Sequence, residues 1–191
     1  MSFEPTPSTF DALQSNVRLN GYEDVIQCHR CALSNATGFA SMNTFAESAG
    51  VYNSLGVTCA MDGSQPKEVI EVPTATLDQL CSSLSFPNGI FIKIDVEGFE
   101  HQVIEGGANL LKDEKNVALM VELYEPASQQ CGSSALATLT LLASFGFEAY
   151  HMTEFASLHR IDSTARDELA AGRLAPDVFF FKPSMRPDWV N

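Results

Sequence analysis

The order of elements along this chain predicts an α/β domain with a mostly parallel sheet and helices on both faces. Three observations carry that reading. Ile90-Phe91-Ile92-Lys93-Ile94-Asp95 is a near-continuous apolar run closed by an acid, the pattern of a strand buried on both faces. Residues 117–123 form a second apolar run with Glu122 and Glu125 at its end. Helical spacing follows each run, in Phe99, Val103 and Ile104 and then in Leu136, Leu139, Leu142 and Phe145. Strand–helix–strand order of this kind makes βαβ units, and ligands of such sheets bind beyond the carboxyl ends of the strands.

The elements follow in order. Ser2-Phe3-Glu4-Pro5 reads as the end of a strand running into Thr6-Pro7, an N-cap followed by proline at the first helical position. Phe10, Leu13 and Val17 recur at helical spacing and Asn20-Gly21 supplies the stop, so a helix is expected over 7–19. Residues 25–33 alternate loosely and read as one strand. Residues 34–61, rich in Ser, Asn, Ala and Gly, read as irregular with one or two edge strands. A strand over 68–72, a helix from Thr76-Leu77-Asp78 to about residue 84 and a Pro87-Asn88-Gly89 turn lead to Ile90. Gly98 breaks the strand that starts there, and Gly106-Gly107 weaken the next helix before a further helical turn over 108–112. A helix over 133–145, stopped by Gly146, and strands over 147–151 and 178–182 complete the chain.

A length of 191 residues fits a single domain, 1–191. The 24 acidic and 11 basic residues leave a net charge of -13, a field that repels phosphate backbones and anionic membranes and argues against nucleic acid as a partner. No stretch approaches the roughly 20 apolar residues of a membrane span, and the first residues lack the pattern of a signal peptide. Cys28-His29-Arg30-Cys31 has the spacing of a redox pair or half a zinc site. No second pair completes a zinc site, and a redox pair would open a helix where this run reads as strand. The five cysteines therefore read as free thiols, which suits a reducing, cytoplasmic compartment.

Three acids fall at predicted strand ends: Glu4, Asp95 and Glu122. A carboxylate placed like Glu4 can accept hydrogen bonds from ribose hydroxyls, or can complement the helix that starts at Pro7. In Asp95-Val96-Glu97-Gly98, the glycine lets the chain turn sharply into the next helix. Asp95 and Glu97 are candidates for a general base, an acceptor-binding group or metal ligands. Glu97 and Glu100 also suit a helix N-terminus, and His101 reads as a packed or solvated helix residue. Lys93, inside an apolar strand, calls for either a buried ion pair with Glu122 or a place at the sheet's edge.

At this point the residues resemble a known family. Phe91-Ile92-Lys93-Ile94-Asp95-Val96-Glu97-Gly98-Phe99-Glu100, followed by Val103-Ile104-Glu105-Gly106-Gly107, is similar to the signature of FkbM-type S-adenosylmethionine-dependent methyltransferases. Phe3-Glu4-Pro5-Thr6-Pro7, Ala32-Leu33-Ser34-Asn35 and Thr76-Leu77-Asp78 resemble further family stretches in the right order. The resemblance implies a Rossmann-like class I methyltransferase sheet and methyl transfer from S-adenosylmethionine to a hydroxyl of a small molecule or sugar. By position, Glu4 would hold the cofactor's ribose, Ala32 would lie by its adenine, and Asp95 with Glu97 would face the acceptor. The family's first strand and glycine-rich loop should precede Glu4, where only Met1-Ser2-Phe3 stands, so the expectation is a domain truncated at its N-terminus with weak cofactor binding. The alternative is a catalytically inactive remnant that acts as a binding or interaction module, self-associating through an exposed sheet edge. A third reading makes Asp95-x-Glu97 the divalent-metal site of a sugar-nucleotide transferase.

Overall fold

The structure, a computed structural model, describes residues 1–45, 53–56, 63–153 and 157–187. Part of the segment expected to be irregular, and with it Cys59, lies outside the described residues.

The N-terminal part builds two small sheets. Strand β1 (Ser2–Phe3) pairs in parallel with β2 (Cys28–His29), and helix α1 (Pro7–Leu19) joins them, with proline in its first turn as the sequence predicts. The strand expected over 25–33 is instead two short pieces, β2 and β3 (Ala32–Leu33), in different sheets. Next come β4 (Gly38–Thr44), longer than an irregular segment would give, and β5 (Glu68–Ala75). Strand β5 lies between β3, parallel, and β4, antiparallel. Thr76 then caps α2 (Leu77–Cys81), its hydroxyl accepting from the Gln79 amide at 3.1 Å.

The C-terminal part is one five-stranded sheet. Its elements are β6 (Ile90–Ile94), α3 (Glu100–Glu105), α4 (Ala108–Asp113), β7 (Val117–Glu122), α5 (Glu125–Gln130), α6 (Ala135–Ser144), β8 (Glu148–Met152), β9 (Leu158–Arg160), α7 (Ser163–Ala170) and β10 (Asp177–Phe181). The strand order is β6-β7-β10-β8-β9.

This sheet is mixed, which corrects the expectation of a mostly parallel one. Only β6–β7 is a parallel pair, while β10 runs antiparallel to both β7 and β8, and β9 antiparallel to β8. The cause is the connection. The crossover through α5 and α6 sets β8 in the same direction as β7 but one position too far, and β10 enters the gap in the opposite sense.

Two further expectations change. Strand β6 is an edge strand: among the described residues it pairs only with β7, and Phe91 is 61% exposed. The helices also gather on one face. Val117, Leu119, Val121, Val178 and Phe180 pack there against Val103 and Ile104 of α3, Leu111 of α4, Leu139 and Leu142 of α6 and Leu169 of α7. The cluster on the opposite face, with Ala118, Tyr150, Leu158 and Phe181, contains only strand residues among those described.

Candidate active site

Parallel register places the acids. Ile94 on β6 stands beside Val121 on β7, so the next residues, Asp95 and Glu122, leave the sheet side by side. Asp177, opening β10, is opposite Glu122. After Asp95 the chain turns through Glu97, at φ 52°, and Gly98, at φ 93°, before α3 begins. A non-glycine residue in that region is strained, and the turn is held from beneath. Glu100, 1% exposed, accepts from the amides of Val96 at 3.1 Å and Gly98 at 3.0 Å through one carboxylate oxygen. Ser54 adds a 2.7 Å bond to the Glu97 carbonyl. Gly98 is required for space as well as for conformation, since a Cβ there would sit 2.5 Å from the Ala127 carbonyl oxygen.

Asp95, Glu97 and Glu122 each offer a carboxylate oxygen, all within 4.8 Å of one another. Crowding moves their protons. Burial first, then the Asp95 and Glu100 charges, push Glu97 up to about 7. Burial, the charges of Asp95 and Glu97 and a hydrogen bond shared with Asp95 push Glu122 up to about 8. Burial raises Glu100 as well. Lys93 binds Asp95 at 2.5 Å and supplies the balancing positive charge. The pairing with Glu122 foreseen for Lys93 is therefore replaced by its alternative, an edge position on an exposed face. Three carboxylates at this spacing can hold a hard divalent cation, or can share protons between them.

Asp95 and Glu97 open into a cavity of about 900 Å³. One wall carries Lys93, Asp95, Glu97 and Phe99, and the other carries Phe3, Glu4, Ala32 and Met42. All four candidate residues read from the sequence (Glu4, Ala32, Asp95 and Glu97) thus line one space. Glu4 touches the start of α1: one carboxylate oxygen accepts from the Thr6 amide at 2.7 Å and from the Thr6 hydroxyl. That meets the helix-start reading of Glu4 and leaves its second oxygen with no bond among the described residues. Ala32 is buried, its backbone paired with Thr74 of β5. His101 lies outside the cavity, with Nδ1 3.2 Å from the Thr138 hydroxyl and Nε2 3.7 Å from Glu105.

Two residues escaped the sequence reading in their actual roles. The sequence suits Glu100 to a helix N-terminus, whereas in the structure it is the buried brace of the loop; its place two residues after a turn glycine is the available signal. Glu122, one of the three strand-end acids and a possible partner for Lys93 in the sequence, completes the acid cluster, as the parallel register requires.

Fold and site together define an α/β domain with an acid-lined cavity at the carboxyl ends of parallel strands. Residues 1–149 match the family model described as the methyltransferase FkbM domain, and the chain belongs to that methyltransferase family. A crystal structure of a methyltransferase FkbM from Methylobacillus flagellatus KT shares the fold, with a TM-score of 0.54 at 16% identity over 94% of this chain. The chain spans 35% of the length of that protein. No curated protein matches the chain.

Proposed function

We propose that the cavity binds S-adenosylmethionine and an acceptor alcohol, a small molecule or sugar, and that the chain acts in O-methyl transfer. The observation that carries this is the single cavity with Glu4 and Ala32 on one wall and Asp95 and Glu97 on the other, in a chain of a methyltransferase family. The residues fit the cofactor: the volume suits a nucleoside-sized ligand, and Glu4 keeps an oxygen for ribose hydroxyls. The acids around Asp95 favour a cationic group. When bound, the cofactor supplies an electrophilic methyl on a sulfonium.

The chain's own work is then alignment and proton removal. Glu97, titrating near 7, suits a general base at neutral pH. It would take the acceptor's hydroxyl proton, while the cofactor would supply the methyl, its sulfur leaving with the C–S bonding pair as a neutral thioether. Asp95, fixed by Lys93, orients the acceptor. Titration calorimetry with S-adenosylmethionine should give saturable binding that Glu4→Ala weakens tenfold or more. Binding that ignores Glu4, or no binding at all, sinks the proposal. Glu97→Gln should keep the binding and lose about 10²–10⁴-fold in methyl transfer.

A second reading has its own observation: among the described residues β6 pairs only with β7, and Phe91 is exposed. An unpaired edge is a template for another strand, so the chain would self-associate there. Sedimentation velocity that finds only monomer at every concentration removes this reading.

A further inference from the structure

We propose that His151 and His159 form a two-imidazole site for a divalent transition-metal ion, zinc foremost, on the β8–β9 hairpin. The two residues stand directly opposite each other in antiparallel register, so their side chains leave the same face with Cβ atoms roughly 4.5–5.5 Å apart. The ring centroids lie 6.0 Å apart with the planes tilted by 37°. One ion held about 2.0–2.1 Å from a nitrogen of each ring sets the centroids about 5–6 Å apart. A small rotation of His159, which is exposed, brings the pair into that range.

The chemistry agrees with the geometry. Among the described residues, no hydrogen bond or ion pair occupies a nitrogen of either ring. The net charge of -13 concentrates cations around the whole molecule. Paired imidazoles suit zinc, whereas the carboxylates near Asp95 suit harder ions, so the two places differ in preference. Water fills the remaining coordination positions.

The pair sits on the outer hairpin of the five-stranded sheet, and neither histidine lines the cavity. An ion bridging β8 and β9 binds only the formed hairpin and so stabilises this edge. The test is zinc chloride titrated into labelled protein while the ring signals of all four histidines are followed by NMR. His151 and His159 should shift along one common binding curve, with His29 and His101 unmoved over the same range. His159→Gln, at an exposed position, should weaken zinc binding read at His151 by tenfold or more. Separate curves for the two rings, no shift of either, or a smaller loss in the variant would overturn the site.

Discussion

The five-stranded sheet and the three-stranded sheet face one cavity but are held by very different amounts of core. Behind the first lie Val103, Ile104, Leu111, Leu119 and Leu142, all fully buried. Behind the second lie Ala32, Met42 and Val72, while Phe39 and Val69 point outward at 73% and 59% exposure. Buried apolar area is the main favourable term in folding, so the acids of the site ride on the stable part and the opposing wall on the yielding one. The lesson is a division of labour: groups whose spacing sets their charge need a stiff support, while the opposing wall can open locally.

The largest expected effect tests the stable side. Leu119→Ala, in the central layer, should lower global stability in urea by about 2–5 kcal/mol. Native-state hydrogen exchange should show β4 and β5 amides opening at lower free energy than those of β7 and β10. Equal protection in the two sheets would break the comparison.

The same contrast governs what the sequence reveals. Strand β7 was legible because both its faces are apolar and it is buried, and α1 because its proline, its spacing and its stop all agree. Strand β6 misled: its apolar run suggests full burial, but Phe91 lies on the face that no described helix covers, and Lys93 was the residue that marked the edge. Burial there depends on neighbours that come from elsewhere in the chain. Glu4, Asp95 and Glu97 are readable as acids at or just beyond strand ends and Ala32 only through the family resemblance, while Glu122's company and Glu100's brace need the parallel register and the turn at Glu97. The antiparallel entry of β10 leaves no local mark at all, since Val178–Phe181 reads the same in either direction.

Where the acid loop meets α5, a smaller effect sharpens the comparison. Gly98→Ala places a methyl 2.5 Å from the Ala127 carbonyl oxygen at φ 93°. The strain should cost about 1–3 kcal/mol, read by thermal or urea unfolding. Because the loop sits on the stiff sheet, it cannot relax freely, and the methyl transfer proposed above should fall with stability. A variant with wild-type stability would show that this loop belongs with the yielding side instead.

The smallest effect isolates the charge that the stiff sheet confines. Glu122 is raised from 4.5 to about 8 in the folded chain, burial being the first cause and the Asp95 charge the second. The unfolded chain therefore releases this proton first as pH rises. Its contribution to stability is fully present below about pH 4.5, is lost as pH rises, and is gone above about 8. Glu97 adds a loss of the same sign between 4.5 and about 7. Glu122→Gln removes the larger of these slopes. After discounting for the solvent that reaches a half-buried group, the variant should gain about 1–2 kcal/mol over the parent at pH 8 and nothing at pH 4. Urea titrations at the two pH values measure it. A gain at both would mean that Glu122 is merely badly packed, whereas a gain confined to high pH ties the cost to a carboxylate that the sheet holds beside Asp95.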